Sequence, residues 1–300
     1  MYITSGVNIN GGNKMKKILF FLLSISLVTS IYGGTASAVE PKDSQRDKEQ
    51  IKNYVENAVP LLQDSIEFLP KDSSLEKIEK TISKHYKNHP TPSAFNNPNL
   101  STNNVFPEMK SQLDKYKGKA LNINDFIFEQ DKTESLGKVF TFKNENSTVK
   151  VFVGDIGDIQ IIERKTVSAP KDSDDQASAK LSTRTERTTG IGYGTNGAKL
   201  FTLWAEGRFE YNGKKVSVAQ KDGDYNKHFG GSGLDISVRK LGAERDASYG
   251  GYAYREVYSR IYVESVVGFK WLGVIINSKT VEAYIGAGAN GAVYGGLKKI

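Results

Sequence analysis

Histidines and carboxylates are the first residues here whose spacing could do chemistry, and the chain has only three histidines. His85 and His89 lie four apart near the end of a helical pattern, where two imidazoles could meet one metal ion. The zinc-protease pattern also needs Glu directly after the first His, and Tyr86 stands there. The pair therefore reads as two histidines at a helix C-terminus, facing its negative dipole end. Asp222-Gly223-Asp224-Tyr225-Asn226 matches the opening oxygens of a calcium loop, but Lys227 takes the glycine position and Gly233 that of the bidentate glutamate. A surface turn is expected instead. Gly230-Gly231-Ser232-Gly233 has Leu234 where a serine elbow needs its last glycine, and no strand-turn-helix context surrounds it. His228 is the only histidine available to a triad in that half of the chain. Glu206 and Glu210 share one strand face, a placement that suits acid/base work on a glycan, although solvated strand carboxylates are commoner. No catalytic residue, metal site or cofactor is expected.

The feature with most promise is an aromatic stripe. Along a strand, Tyr252, Tyr254, Tyr258 and Tyr262 share parity with Glu256, Arg260 and Glu264, while Val257, Ile261, Val263 and Val267 point the other way. The aliphatic set belongs to a core. Tyrosines alternating with charges are left on the opposite face, where amphipathic rings stack on sugars or pack against a protein. Tyr252, Tyr254, Tyr258, Tyr262 and Arg260 are the expected binding residues, and a cell-wall glycan or an extracellular protein is the expected partner. The plainer reading is that tyrosines favour strands and pack across them.

The elements that would position this stripe follow from period and punctuation. Ile51, Tyr54, Val55, Ala58, Leu62, Ile66 and Leu69 line one helical face, with Pro60 expected to kink or divide the helix. Ser73 and Glu76 form a capping-box pattern opening a second helix, whose Leu75, Ile78, Ile82 and Tyr86 share a face until Pro90. A third helix is expected over 107–117, closed by Gly118. Short β-branched or aromatic runs follow at 122–129, 138–143, 148–153 and 158–164, separated by turn residues. Residues 39–165 are thus expected to be an α+β domain of helices followed by an antiparallel meander. Residues 166–189 have almost no large apolar side chains and read as a flexible linker. Residues 190–300 read as an all-β domain, an antiparallel sandwich or barrel, with strands at 234–239, 252–269, 271–276 and 280–285. Asn212-Gly213 predicts a two-residue hairpin that pairs Glu210 with Lys215 and Phe209 with Val216.

The N-terminus predicts an address. Lys16-Lys17, the apolar run Ile18 to Ile31 and Ala36-Ser37-Ala38 follow the order of a cleavable secretory signal, so residues 1–38 are expected to be a signal peptide. The run is shorter than the roughly 20 residues a membrane span needs. Residues 1–14 do not resemble a signal n-region. Gly11-Gly12-Asn13-Lys14 fits a translated ribosome-binding site, which makes Met15 the expected start. Removing Lys14, Lys16 and Lys17 leaves 38 basic and 34 acidic side chains, a net charge of +4 spread over mixed-sign segments. Nucleic acid is not an expected partner, because it demands a clustered basic face. The absence of cysteine excludes disulfides, thiolate metal sites and a lipoprotein anchor. Three functions fit: a secreted non-catalytic binding module, a secreted antibacterial or membrane-active toxin inserting strands such as 199–218 or 252–269, and a glycan-directed hydrolase.

Overall fold

The computed structural model describes residues 42–111, 120–133, 136–172, 181–228, 234–265 and 279–300. The signal peptide, the third helix beyond residue 111, the Gly230–Gly233 loop and the strand expected at 271–276 lie outside them. Residues 40–300 form one compact unit. It is α+β and mostly β, with helices leading into two antiparallel sheets and no closed barrel.

Helix α1 (Lys42–Glu67) buries Ile51, Val55, Val59, Leu62 and Ile66. Burial of each aliphatic side chain contributes about 1.5–3 kcal/mol. Pro60 does not divide α1; it sits exposed, on the side where water can reach the carbonyl that its missing N–H leaves free. Helix α2 (Leu75–Asn88) is capped by Ser74, one residue later than the expected Ser73, with the hydroxyl accepting from Lys77 N at 3.3 Å. Its buried face is Ile78, Ile82 and His85. After a single helical turn, α3 (Thr102–Val105), the chain forms the two-residue strand β1 (Leu121–Asn122) and helix α4 (Ile123–Thr133). A strand was expected over 122–129. Ile123, Phe126 and Ile127 are the buried residues, at the 3-and-4 spacing of a helix, and α4 enters the core between the sheets.

The larger sheet is a simple meander: β2 (Gly137–Lys143), β3 (Ser147–Gly154), β4 (Ile159–Asp172), β5 (Ser182–Tyr193), β6 (Lys199–Tyr211) and β7 (Val216–Lys227). The stretch expected to be a linker, 166–189, supplies strand instead. Lys165 pairs with Arg187 and Thr166 with Glu186, and the ladder continues through two register shifts to Asp172 opposite Ser182. Residues 173–180 lie outside the described set. Polar strand ends hold here because their groups are satisfied: Glu186 accepts from Thr166 Oγ1 at 2.9 Å and from Arg184, and Glu206 accepts from Arg187 Nε at 2.7 Å. The hairpin at Asn212-Gly213 is longer than expected. Tyr211 pairs with Val216, Glu210 with Ser217 and Phe209 with Val218. The Asn212 side chain accepts from Lys214 N and Lys215 N, which turns both residues into loop. A slip of two keeps each side chain on its expected face.

The smaller sheet has the order β1-β11-β10-β9-β8, from β8 (Leu234–Tyr249), β9 (Tyr252–Ser265), β10 (Lys279–Gly288) and β11 (Val293–Lys299). The larger sheet buries both faces. Val149, Val151, Val153 and Ile161 pack with α1 and α2, whereas Phe152, Leu203, Ala205 and Phe209 pack with α4 and the smaller sheet. The edge of β11 beyond β1 is closed by one side chain: Asn124 donates to Gly295 O at 3.2 Å and accepts from Leu297 N at 3.3 Å, standing in for a strand. No helix among the described residues is long and apolar enough to cross a membrane.

Candidate functional site: the polar face of the smaller sheet

The five expected binding residues all fall on β9, and alternation orients them as the sequence implies. Val257, Ile261 and Val263 are buried between the sheets, and Tyr252, Tyr254, Tyr258, Arg260 and Tyr262 take the other parity. Their environments differ. Tyr252 is 70% exposed beside the turn, Tyr254 is only 9% exposed with its ring 4.7 Å from that of Tyr294, and Tyr258 and Tyr262 are half-buried.

Two carboxylates organise the face, and both are almost fully buried. Glu282 on β10 lies opposite Arg260 on β9 and Lys298 on β11. It accepts from Arg260 Nε at 2.9 Å, from Lys298 Nζ at 2.9 Å and from both terminal nitrogens of Arg245. Burial alone would push this carboxyl up; the hydrogen bonds from Arg245, Lys298 and Arg260 outweigh it and hold the group below the usual carboxylate range. Glu256 accepts from Arg245 and from Tyr294 Oη at 2.6 Å. Burial and then this bond to Glu256 push the Tyr294 phenol far up. Arg245 loses hydration, yet the two glutamates keep its guanidinium more firmly charged than usual.

The rings are stacked on the same cations. The Tyr258 ring lies 4.2 Å from the Arg245 guanidinium and 5.2 Å from that of Arg260, Tyr262 lies 5.0 Å from Arg239, and Tyr284 lies 4.7 Å from Lys298 Nζ. The result is a rigid surface of tyrosine and guanidinium edges. A carboxylate clamped by three cations is a poor proton carrier, so Glu282 is built to hold position, not to act as an acid. Reading β9 alone finds Tyr258, Tyr262 and Arg260 but misses Arg245, Glu282, Tyr284, Tyr294 and Lys298, which arrive from other strands. Their signal is pairing across strands, a long-range property.

The other sequence candidates are dispersed. Glu206 is spent on Arg187, and Glu210 faces Ser217 across the hairpin. Asp222 and Asp224 lie within strand β7, not in a turn, opposite Glu206 and Trp204. His228 makes a 2.9 Å contact with Thr202 Oγ1. His85 and His89 do come together, with ring centroids 4.7 Å apart, and no set of three His, Asp or Glu side chains that could hold a metal occurs among the described residues.

Burial and then the adjacent His89 lower the His85 pKa from 6.5 to about 4. The unfolded chain therefore binds a proton between these values that the folded chain refuses, and this contribution to stability is complete above pH 6.5 and lost as pH falls toward 4. In thermal melts over that interval the His85→Asn protein should lose less of its Tm on acidification than the parent. Parallel curves would show that His85 titrates normally.

No family model, curated protein or solved structure matches the chain.

Proposed function

We propose that the protein is secreted and acts as a non-catalytic binding module, holding a cell-wall glycan or an extracellular protein against the tyrosine-arginine face of the smaller sheet. The observation that carries this reading is Tyr258, whose ring lies against two guanidiniums that Glu282 clamps from beneath. A ring fixed before binding loses little conformational freedom on contact, which favours association. Tyr262 beside Arg239 extends the same surface along β9. Hydrolysis is disfavoured by the state of the carboxylates, since Glu282 and Glu206 are both engaged by arginines.

Binding and folding should separate on mutation. Tyr258→Ala and Tyr262→Ala should each cost less stability than Ile261→Ala, whose side chain is fully buried and whose truncation costs about 2–5 kcal/mol. The tyrosine variants should nonetheless be retained several-fold less on purified peptidoglycan or a bound partner. Full retention by both would remove the face from consideration. Strands of 12–16 residues, longer than the 9–11 that cross a bilayer, favour the membrane-active toxin as the second reading. Release of dye from lipid vesicles without wall retention would move the assignment there.

A further inference from the structure

A second surface lies on the helices, away from β9. Between α1 and α2 is a cleft of about 490 Å³ whose walls include Ser65, Lys77, Lys80, Lys84, Asn88 and His89, and none of its lining residues is acidic. Lys77, Lys80 and Lys84 recur at three and four along α2, so their charges stand side by side. None of the three forms an ion pair among the described residues, although lysines elsewhere in the fold do so with glutamates, as Lys138 does with Glu67 and Lys199 with Glu79. Unpaired like charges at this spacing repel, a cost that a bound anion would remove. His85 also lines the cleft, 5% exposed, and its Nε2 has no hydrogen-bond partner.

We propose that this cleft binds a phosphoryl-bearing anion, held by Lys77, Lys80 and Lys84 with Asn88 and His89 as further donors. Lysine suits that role because a compact ammonium attracts a phosphate oxygen without demanding one geometry. The rim indicates how such a group could be presented. Leu61, four before Ser65 on α1, and Phe68, three after it and directly past the end of α1, are 47% and 86% exposed. Exposed apolar side chains beside a basic cleft match a phosphate attached to a lipid as well as a free one.

The mature chain is titrated with pyrophosphate by calorimetry and sedimented with phosphatidylcholine vesicles with and without phosphatidylglycerol. At least one phosphate-bearing probe should bind saturably, weaken with added salt, and bind at least tenfold more weakly to the Lys80→Gln/Lys84→Gln double variant. Lys87→Gln, outside the cleft on the same helix, should bind like the parent. Phe68→Ser separates the sources: weakened vesicle binding with pyrophosphate binding unchanged identifies a lipid headgroup, and parent-like binding of both probes identifies a free anion. Tyr258→Ala should leave both signals intact, which keeps this site distinct from the face on β9. Failure of both probes to saturate, or equal binding by the double lysine variant, overturns the proposal.

Discussion

Glutamine in place of Glu282 should lower stability at pH 7 by about 3–5 kcal/mol, the cost of leaving a buried ion cluster without its anion. The magnitude follows from geometry: Glu282 is fully buried and receives Arg245, Arg260 and Lys298, each itself only about 30% exposed. An amide keeps the shape but leaves Arg260 and Lys298 facing no charge and Arg245 with Glu256 alone. The pH dependence has a definite sign. Because the folded carboxyl is held below its unfolded value, near 4.3 in a free chain, its contribution is present above that pH and vanishes as pH falls through the folded pKa. The stability curves of parent and Glu282→Gln should therefore converge in acid and stand furthest apart at neutrality. Equal urea midpoints at pH 7 would mean that the cluster is solvated and that Tyr258 is not held from beneath. A variant replacing Glu282, Glu256, Arg245, Arg260 and Lys298 together by apolar residues should lose less than the single changes summed, since no charge of the cluster is then stranded.

Phe209→Ala should cost about 3–5 kcal/mol, because its ring is fully buried in the core between the two sheets. The site cannot collapse easily. Gly207, two residues back on β6, gives the ring its space: a Cβ there would lie 2.5 Å from the ring edge and 3.0 Å from Val257 on the opposing sheet. Phe209→Leu refills part of the volume and should recover more than half of the loss, with an unchanged denaturant slope. A loss below 1 kcal/mol for the alanine variant would show that the sheets do not depend on this contact.

What the sequence discloses here depends on distance along the chain. The apolar stripes of α1 and α2, the β3 and β4 runs and the parity of β9 are local patterns, and each survives in the fold. Ile123 to Ile127 misled because three apolar residues, one asparagine and one aspartate fit either period over so short a span; burial against both sheets decides for helix. Thr166–Asp172 and Ser182–Thr189 misled because their strand is held by Thr, Arg and Glu side chains that bond across strands, without the apolar alternation that marks a half-buried strand. The same blindness hid the hub of the candidate face. Glu282 meets Arg260 across 22 residues and Arg245 across 37, and nothing near Glu282 in sequence indicates that it is buried.

The two sheets also differ in when they can be made. Each strand of the larger sheet pairs only with its neighbours in sequence, so it can grow hairpin by hairpin as the chain emerges. The smaller sheet grows the same way from β8 to β11, but its outer edge cannot, since β1 pairs Leu121 with Lys299. Its edge must await the last residues to arrive, and the loop to be closed spans more than half the chain. Arg245 and Arg260 therefore exist for a time with Lys298 and Tyr294 still absent, and the tyrosine-arginine surface is the last part of the molecule to become rigid. A chain released before residue 298 would carry the helices and the long meander but present no finished face.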